Sequence, residues 1–202
     1  MKVALIGDSH SQALFPRLRD SLTQQGYEVI SMVSKPGWGA KRFVDEGLAI
    51  VPAEAEGIVV SLGGNNHNLT SDYGRHIDDF IVSVGGAKRI VWVGPATSDA
   101  SIAPSVAQRH EWTADYLKGA LPSRGIKFID SRPFTETAHR EDGVHFTASG
   151  YDHWADSIQK PIMIGMAISP LVRQTGRIGG YTLLGLGALY GLYLLYGLVR
   201  KK

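Results

Sequence analysis

Short apolar runs alternate with amphipathic stretches along most of the chain. Residues 3–6, 27–33, 57–62, 89–93 and 126–129 are runs rich in Val and Ile, each bounded by Gly, Asp, Ser or Pro signals. Runs this short with such borders predict buried strands. Between them, Leu14, Leu18 and Leu22 recur at four-residue spacing, so residues 13–25 read as a helix with one apolar face. Residues 71–84, 108–120 and 147–158 also read as helices, with Thr147 as the N-cap of the last. The alternation predicts an α/β fold: a flavodoxin-like, three-layer α/β/α arrangement around a five-stranded parallel sheet. In such sheets ligands bind beyond the carboxyl ends of the strands.

The pattern changes after Pro161. Residues 161–177 are largely apolar and are expected to link a domain at 1–160 to a further segment. Residues 178–199 carry no charge, and about 22 residues at 1.5 Å each approach the thickness of a bilayer's hydrocarbon core. Arg177 and Arg200-Lys201-Lys202 bracket the run, and Tyr181 and Tyr196 stand near its ends. The expectation is a C-terminal transmembrane helix with a basic tail at 200–202. Gly187 and Gly191 have the spacing that permits helix pairing, hence self-association within the membrane. The alternative is a helix packed on the domain or on a partner protein. Both flanks are basic, so charge does not fix the topology; with no leader pattern visible, a single-pass anchor with a cytoplasmic domain is the simplest expectation.

Composition adds exclusions. A formal net charge of +2 with scattered basic residues gives no reason to expect a nucleic-acid partner. The absence of cysteine removes disulfides and thiolate metal sites. No His-Glu-x-x-His pattern occurs among the seven histidines, so neither a metal nor a cofactor is expected.

The chemistry lies at the predicted strand ends. The first strand runs into Gly7-Asp8-Ser9-His10, which places a serine hydroxyl at a sheet edge. The third ends in Gly63-Gly64-Asn65-Asn66, and Gly37 follows the second closely. Asp142-Gly143-Val144-His145 supplies an acid and an imidazole three residues apart, at the entrance to the last helix. These are the parts of a serine nucleophile with a base, an orienting acid and oxyanion donors. Taken singly, Ser9 could equally cap a helix, and the glycine-rich segments could be plain turns. Asp130 competes with Asp142, Gly39 with Gly37 and Asn66 with Asn65. Asp8 is expected to brace the nucleophile turn. His10 and His67 flank the site, either as substrate contacts or as loop residues, and Trp38 and Trp154 are expected in a wall or the core.

Four blocks in this order, Gly-Asp-Ser-His, Pro-Gly-Trp-Gly-Ala, Leu-Gly-Gly-Asn-Asn and Asp-Gly-Val-His-Phe-Thr, resemble the SGNH hydrolase superfamily of GDSL-like esterases. The resemblance covers roughly the first 160 residues. It implies Ser9 as nucleophile, His145 as general base with Asp142 behind it, and an oxyanion hole from Ser9, Gly37 and Asn65. It implies acyl-ester hydrolysis through an acyl-enzyme without a cofactor. The Gly-Asp-Ser-His block is similar to SGNH domains associated with envelope polysaccharide O-acylation, so acetyl esters of a carbohydrate or cell-wall polymer are the expected substrates. Lipid or thioester hydrolysis, O-acyl transfer, and a structural virion or envelope role are the alternatives.

Overall fold

The computed structural model describes residues 1–47, 51–65, 72–85, 89–136 and 138–167. Five strands form one sheet: β1 (Lys2–Gly7), β2 (Glu28–Ser34), β3 (Gly57–Ser61), β4 (Arg89–Val93) and β5 (Lys127–Ile129). Their order is β2-β1-β3-β4-β5, and all four pairings are parallel. This is the doubly wound order expected from the alternation of elements. Among the described residues, five α-helices accompany the strands: α1 (Ser11–Gln24), α2 (Ala40–Asp45), α3 (Tyr73–Ser83), α4 (Pro104–Ala120) and α5 (Ala148–Ala167).

The strands are buried on both faces, as parallel strands between helix layers must be. Val59 on β3 packs with Leu14 and Leu18 of α1 and with Trp154 and Ile158 of α5. Its neighbours Ile58 and Val60 point the other way, to Phe43, Ile77, Phe80 and Leu117 from α2, α3 and α4. The period-two alternation of one strand thus builds two cores, and the fold has three layers.

The short helix α2 was not expected. It lies between a glycine turn and residues 48–50, and its six residues carry too little periodicity to read. The largest difference is at α5. The chain passes Pro161 without leaving the helix and continues to Ala167, so residues 161–167, expected to begin a linker, are helical. Proline removes one helix donor and crowds the preceding turn. Packing outweighs that cost: Ile162 and Met166 are fully buried in the α1–α5 core. Gly165 lets the helix lie against the sheet, because a Cβ there would stand 2.6 Å from Val91 Cγ2. The span expected at 178–199, with Gly187 and Gly191, lies outside the described residues. Among the described residues, no helix is long and apolar enough to cross a membrane.

If the end of α5 belongs to the core, Ile162→Ala should destabilise the fold by about 2–5 kcal/mol. Urea denaturation checks this. A loss under ~0.5 kcal/mol, the range of ordinary surface substitutions, would return residues beyond Pro161 to linker status.

Candidate functional site

Strand order decides where the site forms. The chain leaves β1 for one side of the sheet, through β2, and reaches the other side at β3. The turns after β1 and β3 therefore meet at a topological switch point, where open α/β sheets form their crevice. The Asp8 N–H donates to Ser61 O at 3.2 Å, tying the two strand ends together. Lys35 N–H donates to Gly7 O at 2.9 Å, which brings the end of β2 to the same rim.

Ser9 stands in the turn between β1 and α1. It does not cap the helix with its side chain: α1 begins at Ser11, and no side-chain capping bond is made there. The Ser9 hydroxyl instead lies 3.0 Å from His145 Nε2. The opposite nitrogen, Nδ1, lies 2.8 Å from Asp142 Oδ2. The other Asp142 oxygen accepts the backbone N–H groups of Val144 at 2.9 Å and His145 at 2.8 Å. Burial acts to raise the Asp142 pKa, but the bonds from the His145 ring and from these two N–H groups prevail and hold it at about 2. Asp142 is thus a carboxylate above that pH and can only accept. Nδ1 must carry the proton of this bond, which leaves the Nε2 lone pair of the neutral ring to face the Ser9 hydroxyl.

The segment around His145 is locked to its surroundings. His139 and Phe146 form an isolated antiparallel bridge, and Arg140 N–H donates to His145 O at 2.7 Å. Gly143 O accepts from Asp99 N–H at 2.7 Å. Gly143 has a φ of 66°, and a Cβ there would come within 2.7 Å of Ile102 Cβ, so this turn requires glycine twice over. Thr147 caps α5 as expected, accepting the Gly150 N–H at 3.3 Å. Asp130, the competing acid, is taken up by Arg132, whose Nε and Nη2 approach its two oxygens at 2.9 and 2.6 Å.

The proposed oxyanion donors lie on the converging turns. Among the described residues, the backbone N–H groups of Ser9 and Gly37 have no hydrogen-bond acceptor. Gly37 has a φ of 75° and is exposed, whereas Gly39 serves as the N-cap of α2. Asn65 is half-buried at the end of the β3 turn; Asn66 and His67 lie outside the described residues.

Two residues beneath the site hold that turn. Asp8 is buried and accepts the His10 N–H at 3.1 Å, and the Gly64 N–H also reaches its carboxyl. Asp8 therefore braces both turns rather than its own alone. His110 on α4 was not singled out from the sequence. It is buried, with Nε2 at 3.2 Å from Gly64 O and Nδ1 at 2.8 Å from Ala96 O. Its only sequence signal is a histidine on the inward face of a helix otherwise rich in charge, and nothing local links it to Asn65.

His10, expected as a substrate contact or a partly exposed loop residue, is buried among the rings of His145, Phe146, Tyr151 and Trp154, with the His145 centroid 5.0 Å away. Burial, aided by the neighbouring His145, lowers its pKa to about 3, so it stays neutral beside the His145 ring. Its Nδ1 lies 3.1 Å from the Tyr151 hydroxyl. Trp154 is a core residue, and Trp38 is half-buried. No metal-binding cluster of three His, Cys, Asp or Glu side chains occurs among the described residues.

Burial moves the Asp8 carboxyl in the opposite sense, up from 3.8 to about 7, against the bonds from His10 and Gly64 and the charge of His145. The folded state then binds this proton more tightly than the unfolded state. Between about pH 4 and pH 7 the unfolded chain is the first to lose it, and Asp8 erodes stability as pH rises. Asp8→Asn removes that loss. The variant should gain on the wild type by a few kcal/mol between pH 4 and pH 7 in denaturation curves. A difference that stays flat or reverses would mean that Asp8 is charged in the fold.

No family model matches the sequence, and no curated protein matches it. Solved structures do resemble it in fold. Est24, a carbohydrate acetylesterase from Sinorhizobium meliloti, is similar with a TM-score of 0.60 at 12% identity, over 81% of this chain and 98% of that one. A carbohydrate esterase family 3 protein from Talaromyces cellulolyticus gives 0.63 at 15% identity, over 84% and 100%. Axe2, an acetylxylan esterase from Geobacillus stearothermophilus, gives 0.64 at 12% identity, over 80% and 93%. Catalytic mutants of Axe2 replace a serine, an aspartate and a histidine, the aspartate three residues before the histidine. At these identities the likeness is one of fold: this chain shares the architecture of these esterases.

Proposed function

We propose that this chain is a serine esterase that removes acyl groups, acetyl foremost, from carbohydrate or a cell-wall polymer. The hydrogen-bonded series Ser9–His145–Asp142 carries the reading. The acetylesterase fold and the Asp-x-x-His spacing shared with Axe2 support it and favour an acetylated sugar over a lipid or thioester.

The chemistry follows from the protonation states. Ser9 Oγ attacks the ester carbonyl carbon while its proton passes to His145 Nε2. Asp142 stabilises the resulting imidazolium and keeps the ring oriented. The carbonyl electron pair moves to oxygen, where the N–H groups of Ser9 and Gly37 and the Asn65 amide are the donors. Collapse of the tetrahedral adduct breaks the bond to the alcohol oxygen, which takes the proton from Nε2 and leaves. Water then repeats the sequence on the acyl-serine, giving free acid and restoring the Ser9 hydroxyl. His10 is neutral throughout, so no second positive charge opposes the imidazolium.

The uncharged run at 178–199, with arginine on both sides, supports a membrane anchor that would hold the domain near its substrate.

Two outcomes are expected. Turnover of 4-nitrophenyl acetate should vanish in Ser9→Ala and fall by about 10²–10³ in Asn65→Ala, with the fold retained in both. An Asn65→Ala rate equal to wild type would remove that residue from the oxyanion site. The full-length chain should sediment with membranes and resist extraction by concentrated salt, because the retention is hydrophobic. Release by salt alone would refute the anchor.

A further inference from the structure

A cavity of about 370 Å³ opens beside the nucleophile, lined by Ser9, Gln12, Ala13, Arg140, His145 and Tyr151. None of the described residues on its wall is acidic. Arg140 is exposed, and among the described residues its guanidinium has neither an ion-pair nor a hydrogen-bond partner. Its backbone, by contrast, is fixed on both sides: the N–H donates to His145 O at 2.7 Å, and the carbonyl accepts from Gly143 N–H at 2.9 Å. The side chain therefore springs from the scaffold that sets the general base. Its charge also reaches Tyr151: burial pushes that phenol up to about 12, and Arg140 acts in the opposite direction.

The neighbouring arginine is differently employed. Arg17 lies near the same tyrosine ring, but Asp152 and the carbonyls of Ala13 and Ala148 occupy it. Across the rim, the cations of Lys35 and Arg42 sit 5.7 and 4.8 Å from the ring of Trp38, next to Gly37. Arg42 also pairs with Glu46 at 3.8 Å, so neither Arg17 nor Arg42 is free of a carboxylate partner. The Tyr151 ring is buried, so this wall offers no aromatic face on which a neutral sugar could stack. It offers a guanidinium fork and the exposed Gln12 amide.

We infer that Arg140, with Gln12 beside it, forms a carboxylate-recognising subsite, so that the ester hydrolysed at Ser9 is carried by an acidic saccharide. A planar guanidinium matches a carboxylate in two parallel hydrogen bonds, a geometry that a neutral hydroxyl cannot reproduce. This inference rests on the esterase reading of the Ser9 site.

The test uses the full-length chain and measures acetate release. The substrates are an O-acetylated uronic-acid oligosaccharide, the same oligosaccharide with its carboxylates converted to amides, and a phosphorylated acetyl sugar. The wild type should favour the acid over the amide by about tenfold in kcat/KM, through KM, and the preference should shrink as salt is added. Arg140→Gln should bring the ratio to about one, and Arg140→Lys should keep part of it. Equal rates on acid and amide, or a preference that survives Arg140→Gln, would overturn the subsite. Preference for the phosphorylated sugar would overturn the assignment to carboxylate. Turnover of 4-nitrophenyl acetate by the wild type separates the failures: if it persists, the subsite alone is wrong, and if it is absent, the esterase reading falls first.

Discussion

The parallel pairing of β1 with β3 is the contact on which the site depends. It registers Val3 with Gly57 and Gly7 with Ser61, so the two strands end at the same level. Everything polar follows from that level. The Asp8 N–H reaches Ser61 O, the Gly64 N–H reaches the Asp8 carboxyl, and His110 rises from α4 to the Gly64 carbonyl. Ser9 and Asn65 are the next residues along their turns. A shift of one residue in this register would exchange the faces of β3 and part Asp8 from Ser61.

Burial then distributes protons around the exposed chemistry. Asp142 lies at the surface with four hydrogen-bonding lone-pair sites largely used, and it keeps its charge. Asp8 and His10 lie underneath, and desolvation drives both towards their neutral forms. The result is one fixed negative charge on the far side of His145, a neutral His10 ring on its near side, and an Asp8 carboxyl whose ionisation is held back to about pH 7. In the proposed reaction, Asp142 is then the carboxylate that stabilises an imidazolium at His145, and the neutral His10 adds no opposing charge.

Much of this was legible in the sequence, because strand alternation and turn chemistry are local. All five strands and the central parts of α1, α3, α4 and α5 follow from periodicity, and Thr147 reads as a cap. The choice between Asp142 and Asp130 was not settled locally; it depends on Arg132, which draws Asp130 away. The extension of α5 past Pro161 was hidden because the local rule for proline opposes it, and only the sheet surface waiting for Ile162 and Met166 reverses the balance. His110 was hidden for a similar reason: its partner is a carbonyl 46 residues away, and no spacing announces such a contact. Arg140 looks like any surface arginine until the fold places it on the wall of the Ser9 cavity.

In the proposed esterase, His145 and Asp142 make Ser9 a nucleophile. The most direct measurement is covalent labelling with a fluorophosphonate probe, followed by peptide mass spectrometry on the wild type and on His145→Ala. Modification is expected at Ser9, and at no other serine, and is lost in His145→Ala while the fold remains intact. Labelling at a different serine, or at Ser9 with the same rate in both proteins, would contradict it.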